Sequence, residues 1–485
     1  MAKKSITKNY IYNMIYQILI LVLPLVTTPY LSRVLGAEGI GIYGYTYSIV
    51  TYFVLFGSLG VALYGQREIA YAGEDKEKRK KIFIEVNIFR FITIALACIV
   101  YYFWFMRNND YSVYYRILLF ELLAAAFDIS WFFQGMEEFK KTVIRNVLVR
   151  ICSVALVFLL VKTREDLTKF VLIYSLADFV GNLSLWLYLP KYTSGVKVKN
   201  IEVWKHVIPI LMLFIPQIAN QIYKILDTTM IGKLISDKAE TGFYEQSQKV
   251  IRLLLTIVTS LGVVMVPRMA STFASGDKEK VNEYMKMSFK FVFFLAFPLM
   301  FGIVSIAGAF VPVFFGQGYD KVVTLIDIMC PILVLMGVAN VVGTQYLLPT
   351  KRQKEYTISV TIGVIVNFFL NYFLIKAYAS IGASIATVLS QLVVDAIQLY
   401  CIRNDINIGE MIGLAWKYLV SAFIMFLFCF VTANLAQRLN GGYMWEIISE
   451  VLVGVVTYFT MLIILKDDYV YKFLNTAKNK LGMKN

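Results

Sequence analysis

The sequence predicts an all-α membrane protein that crosses the bilayer many times. Of its 485 residues, 59% are hydrophobic and only 16% are charged, whereas a soluble domain carries about a quarter charged residues. Apolar runs of about 20 residues or more recur from one end of the chain to the other, and each is long enough to cross about 30 Å of hydrocarbon as a helix. Helices satisfy their own backbone hydrogen bonds in lipid, so runs of this length indicate transmembrane helices.

We predict about fourteen spans from the length and apolarity of these runs. They lie near residues 10–34, 41–64, 82–106, 112–134, 142–161, 167–190, 207–235, 243–269, 287–314, 322–349, 357–377, 380–402, 413–435 and 445–465. The first run is longer than the apolar core of a signal peptide, about 7–15 residues, and lacks an A-x-A-like cleavage site, so we expect it to remain as the first span. Pro24 and Pro29 are expected to bend it.

The distribution of basic residues predicts that both ends of the chain are cytoplasmic. The formal net charge is +15, and the lysines and arginines concentrate in every second short loop, for example in segments 76–81, 278–286 and 472–484. Cytoplasmic loops carry this excess in membrane proteins. The positive charge therefore reports topology, and we predict no nucleic-acid partner.

A repeat inside the chain predicts two related lobes of six helices each. Segment 58–61, Ser-Leu-Gly-Val, recurs as 260–263, and segment 75–78, Asp-Lys-Glu-Lys, recurs as 277–280. Gly41-Ile-Tyr and Gly242-Phe-Tyr match one residue out of step. Several matches in one order at nearly one offset indicate duplication. Because six is even, both lobes enter from the cytoplasm and the repeat is parallel. We therefore predict an N-lobe over residues 1–200, a C-lobe over 201–403, and two further helices with a cytoplasmic tail over 404–485.

Polar residues follow one face of each of two repeat-related helix pairs. Spacings of three and four residues place such a set on one side of a helix. In spans 7 and 8 the sets are Gln217, Asn220, Gln221, Lys224, Asp227 and Thr228, and Glu245, Gln248, Lys249, Arg252, Thr256 and Thr259. In spans 1 and 2 they include Asn13, Gln17, Tyr43 and Tyr47. Any one of these residues could equally join helices by a buried hydrogen bond. A cation at membrane depth needs a partner or water, however, so two charged faces favour an internal cavity.

Three segments resemble the polysaccharide transporter family of Wzx-type flippases. They are residues 24–36, Pro-Leu-Val-Thr-Thr-Pro-Tyr-Leu-Ser-Arg-Val-Leu-Gly, followed by Gly41; residues 128–137, Asp-Ile-Ser-Trp-Phe-Phe-Gln-Gly-Met-Glu; and residues 345–349, Gln-Tyr-Leu-Leu-Pro, followed by Lys351 and Lys354. The family belongs to a superfamily of multidrug, oligosaccharidyl-lipid and polysaccharide transporters that includes MATE exporters and MurJ-type lipid II flippases. The resemblance extends over essentially the whole chain.

The resemblance implies that the protein moves an undecaprenyl-diphosphate-linked oligosaccharide, a cell-envelope polysaccharide precursor, across a bacterial plasma membrane. It also implies alternating access through a central cationic cavity, in which Arg33 is the cation of span 1. Asp128, Trp131 and Gln134 of the fourth-span signature are expected to be structural. The expected substrate-binding cations are Arg33, Lys224, Lys249 and Arg252. The expected polar lining is Asn13, Gln17, Tyr43, Tyr47, Gln217, Asn220, Tyr223, Asp227 and Glu245.

The chemistry of these residues suits such a substrate. A diphosphate carries about two charges and does not cross hydrocarbon bare. Lysine and arginine in a partly dry cavity can replace its water, and arginine makes forked contacts with phosphate oxygens. Asparagine, glutamine and tyrosine can bind the sugars, and the lipid tail can stay in the bilayer.

Charged residues that lie in the predicted spans but outside these polar helix faces have two interpretations. Glu85 with Arg90, and Arg116 with Glu121, are expected to neutralise each other. Asp178, Asp327 and Asp395 are candidates for binding a coupling proton or Na⁺, although packing roles are commoner for such residues. The membrane potential is a third possible energy source for transport.

The sequence argues against catalysis, a metal site and other cofactors. The five cysteines form no C-x-x-C pair, the chain has no G-x-x-x-x-G-K-[ST] motif, and its only histidine, His206, is expected to be solvated at the start of span 7. The alternatives are a MurJ-like lipid II flippase, a MATE-like cation-coupled exporter, which would need acidic residues to dominate the cavity, and a membrane glycosyltransferase or polymerase, which would need a large extramembrane domain. The expected partners are the lipid-linked substrate, the bilayer, and polymerases or glycosyltransferases of the same pathway.

Overall fold

The computed structural model describes residues 6–107, 110–195, 197–439 and 441–471. The chain is 87% helical, and no strand occurs within these ranges. The predicted fold class, an all-α polytopic membrane protein, is therefore confirmed. The chain divides into two compact units, Met1–Gly242 and Phe243–Asn485. The predicted boundary near residue 200 rests on the repeat and stays a prediction.

Among its described residues, the first unit contains nine α-helices and the start of a tenth. They are α1 (Ile6–Ser58), α2 (Val61–Ala72), α3 (Lys76–Tyr101), α4 (Ser112–Phe127), α5 (Ser130–Gly135), α6 (Phe139–Leu160), α7 (Leu167–Ser184), α8 (Pro190–Thr193) and α9 (Val207–Leu234). Short 3₁₀ segments cover Arg164–Asp166, Leu185–Tyr188 and Val203–His206, and a π segment, Tyr102–Met106, extends α3.

The second unit contains the remaining helices. They are α10 (Ala239–Val258), α11 (Gly262–Ala274), α12 (Lys278–Phe314), α13 (Asp320–Met329), α14 (Ile332–Ala339), α15 (Gln353–Ile402), α16 (Ile408–Gly413), α17 (Ala415–Arg438) and α18 (Gly442–Ile464). A π segment, Asn340–Leu347, follows α14.

The number of helices that are long and apolar enough to cross a membrane does not by itself give the number of crossings. The described residues hold 10 helices of sufficient length, or 11 if the bent pair Ala239–Val258 and Gly262–Ala274 is one span. Two of them, Val22–Ala72 and Gln353–Ile402, are 51 and 50 residues long, more than twice the 20 or so residues that one crossing needs. Each contains a non-helical residue, Gly36 or Ala379. Both breaks fall where the sequence predicts boundaries between spans, at residues 35–40 and 378–379. The count of fourteen and the bend at Pro24 and Pro29 stay predictions.

Both copies of the sequence repeat adopt the same local structure. Asp75 caps α3 by accepting a hydrogen bond from the Lys78 backbone N–H at 3.0 Å. Asp277 caps α12 in the same way, accepting from Lys280 at 3.0 Å. An aspartate at this position satisfies an otherwise unpaired N–H of the first turn. The repeated Asp-Lys-Glu-Lys motif thus begins a helix in each copy.

Close packing explains the glycines that the two copies share. A Cβ added to Gly41 would lie 1.7 Å from the carbonyl oxygen of Lys238, and one added to Gly242 would lie 1.9 Å from the carbonyl oxygen of Ala37. The Lys238 side chain closes the same corner, because its Nζ donates to the carbonyls of Gly232 at 2.6 Å and Ile235 at 2.8 Å. Burial lowers the pKa of Lys238 below its usual value.

Substituting Gly41 with alanine is therefore expected to destabilise the protein by about 1–3 kcal/mol, because the added methyl group meets backbone that cannot rotate away. Thermal unfolding of the purified protein measures the change. Gly308 of α12 is the matched control, since nothing lies within 4 Å of its added Cβ. Gly308→Ala should be neutral or stabilising. Equal unfolding temperatures for the two variants would contradict the close-packing explanation.

A buried carboxylate fixes the segment that leads into α9. The Glu85 side chain is fully buried. It accepts from His206 Nε2 at 2.8 Å and from the Glu202 backbone N–H at 2.7 Å, and Lys205 Nζ lies 3.1 Å away. Since a carboxylate only accepts, His206 Nε2 carries the proton and, in the neutral ring, Nδ1 accepts from the Tyr64 hydroxyl at 2.5 Å. We call Tyr64, Glu85, Glu202, Lys205 and His206 the Glu85 anchor.

The Glu85 anchor corrects two expectations. His206 is 3% exposed, so it is not solvated, because its ring is enclosed between α2 and α3. Glu85 pairs with His206 and Lys205 instead of neutralising Arg90. Burial alone would lower the pKa of Lys205, but its hydrogen bonds to Glu85 and Glu202 outweigh burial and raise it.

The fourth-span signature packs into the core of the first unit. Trp131 is fully buried and stacks on Phe83, with ring centroids 5.9 Å apart. A Cβ on Gly65 would lie 2.4 Å from the indole. Trp131 therefore has a packing role here.

Candidate functional site

The predicted substrate-binding cations and polar lining residues of the first unit lie on α1 and α9. Arg33 is exposed on α1, three residues before the break at Gly36. Lys224 is exposed on α9, whereas Asp227, one turn further along, is 5% exposed. The two helices pack against each other, and the Thr229 hydroxyl donates to Ser48 at 2.9 Å.

In the second unit, α10 carries a charged face. Glu245 and Lys249 are half-buried and Arg252 is exposed. Their spacing of four and three residues places them on one side of the helix, and both Glu245 and Arg252 lie close enough to Lys249 to interact with it electrostatically. The structure thus brings three predicted site residues together on α10.

The tyrosines of the second predicted span form an aromatic pair. Tyr43 and Tyr47 stack with ring centroids 5.4 Å apart, and Tyr47 is 38% exposed. Tyr223 of α9 is half-buried. The side chains of four other predicted lining residues, Asn13, Gln17, Gln217 and Asn220, lie outside the described part of the structure.

The first unit contains a partly open cavity of about 400 Å³ lined by charged, polar and small apolar residues, which we call the polar cavity. Its walls come from α1, α2, α3, α4, α5, α6 and α7. The lining residues are Val54, Ser58, Ala62, Arg90, Glu121, Ala124, Ala125, Asp128, Ser130, Arg145, Asn146, Val149, Arg150, Asp178 and Asn182.

Helix-to-helix contacts hold the charged groups of the polar cavity in place. Arg150 Nη2 of α6 lies 3.7 Å from Asp178 Oδ2 of α7. Arg145, one and a half turns earlier, donates to Asn182 Oδ1 at 2.6 Å, and Asn182 in turn donates to the Ala124 carbonyl at 2.8 Å. The cavity wall is therefore a connected network across three helices.

The remaining wall is formed where α4 ends. Arg90 of α3 is 2% exposed and donates to the Asp128 carbonyl. Asp128 Oδ1 accepts from the Ser130 backbone N–H at 2.9 Å and so begins α5. Because α5 starts inside the unit, its first polar groups face the same space as Arg90.

Sequence reasoning missed this site by pairing charges along one helix. Arg116 and Glu121 are five residues apart on α4, about 140° around the helix, so they do not share a face. Arg116 is exposed, whereas Glu121 lines the polar cavity and interacts electrostatically with Arg150 and Asp178. The available signal was the spacing itself. Residues five positions apart lie on different faces of a helix, so each of the two charges needs a partner on another helix.

The three aspartates proposed for ion coupling have different surroundings. Asp178 lines the polar cavity beside Arg150. Asp395 of α15 is 5% exposed and accepts from the Gln391 side chain at 2.9 Å. Asp327 of α13 is exposed. Among the described residues, no group of three or more His, Cys, Asp or Glu side chains could hold a metal ion.

The sequence matches known families along most of its length. The profile of the polysaccharide biosynthesis protein family matches residues 6–273, and the MatE profile matches residues 213–373. The fold and these matches define a multi-pass membrane transporter of the multidrug, oligosaccharidyl-lipid and polysaccharide superfamily. The chain belongs to the polysaccharide biosynthesis protein family, and the resemblance to Wzx-type flippases is confirmed.

Individual relatives agree with this assignment. A protein of Escherichia coli (strain K12) described as an O-antigen transporter is 25% identical over 408 residues, which cover 83% of this chain and 98% of that protein. The lipid II flippase MurJ of Bacillus subtilis (strain 168) is 22% identical over 348 residues, which cover 64% of this chain and 62% of that protein.

Solved structures share the fold. A lipid II flippase MurJ in an inward closed conformation superposes with a TM-score of 0.74 at 16% identity, covering 95% of this chain and 100% of that one. An inward-facing MATE multidrug transporter superposes with a TM-score of 0.61 at 12% identity, covering 81% of this chain and 94% of that one.

Proposed function

We propose that the protein is a flippase that moves an undecaprenyl-diphosphate-linked oligosaccharide from the inner to the outer leaflet of a bacterial plasma membrane by alternating access. The observation that carries the proposal is the charged face of α10 in a membrane transporter of this family. Family membership and the functions described for the O-antigen transporter and MurJ relatives support the substrate class. Both termini are cytoplasmic in this proposal, as the loop charges indicate.

The chemistry of the proposed step needs no covalent reaction. Lys249 and Arg252 on α10 are the groups that replace the water of the diphosphate, and Arg33 and Lys224 of the first unit stay predicted substrate-binding cations. The carboxylates Glu245 and Asp227 beside them limit the affinity, so that the substrate can leave. The polyprenyl tail stays in lipid, where its transfer costs nothing.

The energy source is a proton, Na⁺ or the membrane potential. Asp395 is the stronger ion candidate, because it is buried in α15 and has one defined polar neighbour, Gln391, whereas Asp178 already lies beside Arg150. Polymerases or glycosyltransferases of the same pathway are the proposed protein partners, since they supply the substrate and consume the product.

A cation exporter is the second candidate function, favoured by the MatE profile match over residues 213–373. Its cavity should be dominated by acidic residues, since a bound cation must be neutralised. Of the nine proposed cations and lining residues with described side chains, four are basic and two are acidic, which favours an anionic substrate.

Mass spectrometry of lipid extracts from depleted cells tests the proposal. One undecaprenyl-diphosphate-linked saccharide is expected to accumulate when the protein is depleted and to return to its normal level when the wild-type chain is restored. Its mass would identify the sugar. Depleted cells that retain cationic dyes and accumulate no lipid-linked saccharide would instead support the exporter.

A further inference from the structure

We infer that the polar cavity of the first unit binds the sugar headgroup of the substrate, as a subsite separate from the cations proposed for the diphosphate. The inference rests on the proposed function and assigns a ligand class, a neutral polyhydroxy group, to a cavity that the function did not use. Its volume of about 400 Å³ lies within the range of about 300–1,000 Å³ for small-molecule sites.

The charge balance of the lining selects a neutral ligand. Three arginines, at positions 90, 145 and 150, and three carboxylates, at positions 121, 128 and 178, face one space. The three positive and three negative formal charges offset each other, so the lining as a whole favours neither a diphosphate nor a cation. The excess basic charge of the α10 face has no counterpart here. The polar cavity and the α10 face therefore suit ligand groups of different charge.

The mixture of donors and acceptors matches sugar hydroxyl groups. Each hydroxyl both donates and accepts a hydrogen bond. Guanidinium and amide groups offer paired donors, and carboxylates offer paired acceptors, so neighbouring hydroxyls can be bound two at a time. The lining also supplies the hydroxyl groups of Ser58 and Ser130.

Two lining groups retain hydrogen-bonding capacity. The Nε of Arg90 is buried and has no hydrogen-bond partner among the described residues, and a buried unpaired donor of this kind is destabilising. The Asn146 amide makes no hydrogen bond to another described residue, although Arg145 beside it is engaged with Asn182. A sugar hydroxyl would satisfy both groups.

An aromatic face lies next to these charges. Tyr47 interacts electrostatically with Glu121, Asp178 and Arg150, so the stacked Tyr43–Tyr47 pair is close to the polar cavity. The apolar face of a pyranose ring can pack on an exposed tyrosine, while its hydroxyl groups reach the polar lining. This arrangement combines both kinds of contact that sugars use.

Binding measurements with two lipid probes test the inference. The probes are undecaprenyl diphosphate and the lipid-linked saccharide extracted from depleted cells, each titrated into the purified full-length protein in detergent. Asn146→Ala is expected to weaken binding of the saccharide lipid about tenfold, as loss of one or two hydrogen bonds implies, and to leave binding of undecaprenyl diphosphate unchanged. Ser58→Ala, on a different helix, is expected to act in the same direction.

The control is Ser153→Ala on α6, whose hydroxyl donates only to the Val149 carbonyl of its own helix. It should bind both probes as the wild type does. Equal weakening of both probes by Asn146→Ala, or of neither, would overturn the sugar subsite while leaving the flippase intact. Loss of Na⁺- or proton-dependent stabilisation with saccharide affinity unchanged would instead assign the cavity to the coupling ion. A wild-type protein that binds neither lipid would overturn the proposed function and this inference with it.

Discussion

Replacing Glu85 with alanine is expected to lower the free energy of unfolding by about 3–5 kcal/mol, since removing one partner of a buried charged group strands the others. Glu85 is fully buried and accepts from His206 Nε2 and the Glu202 backbone N–H, with Lys205 Nζ 3.1 Å away. Without the carboxylate, the imidazole N–H and the amide N–H lose their acceptor, and Lys205 keeps only its exposed partner Glu202 at 3.3 Å. Thermal unfolding of the purified protein measures the loss.

Two variants separate this effect from a general loss of negative charge. Glu74→Ala removes an exposed carboxylate just before α3 and should stay within about 0.5 kcal/mol of the wild type. Glu85→Gln keeps an acceptor for one N–H and should fall between the two. An unfolding temperature for Glu85→Ala close to that of Glu74→Ala would show that the Glu85 anchor contributes little.

Removing both cations of the α10 face, by Lys249→Ala with Arg252→Ala, is expected to slow translocation about 100-fold or more. Hydrogen bonds to charged groups contribute about 1.5–3 kcal/mol each, and every 1.4 kcal/mol corresponds to a factor of ten. Cells that depend on the variant should therefore accumulate the lipid-linked saccharide as depleted cells do. Mass spectrometry of lipid extracts measures the accumulation.

Arg438→Ala is the matched control, because this exposed arginine ends α17, outside the repeated helices. It should leave the lipid profile unchanged. Arg252→Lys keeps the charge but loses the forked geometry, so it should show a partial defect. A normal lipid profile in the double variant would place the diphosphate away from α10.

Local signals in the sequence predicted the elements well. The apolar runs predicted helices, and the repeated Asp-Lys-Glu-Lys motif begins α3 and α12 with matching caps. Both are local consequences of side-chain chemistry, which needs no neighbour from elsewhere in the chain. The breaks at Gly36 and Ala379 fall at residues 35–40 and 378–379, where the sequence predicted boundaries between successive spans.

The two candidate sites differ in whether local sequence patterns predict them. The charged face of α10 follows from spacing alone, since Glu245, Lys249 and Arg252 repeat with the helix period. The polar cavity does not, because its arginines and carboxylates come from helices α3 to α7. Pairing charges along one helix assigned Glu121 to Arg116 and hid the cavity.

The sequence by itself determined the fold class, the family and the helix faces that carry charge, because hydropathy, repetition and helical period are properties of neighbouring residues. Only the tertiary structure decided the partners of the buried charges: that Glu85 holds His206, and that Arg150 faces Asp178. A buried charge must be satisfied by whatever group the fold brings within about 3–4 Å. That group lies on another helix in both cases, and no local pattern specifies which one.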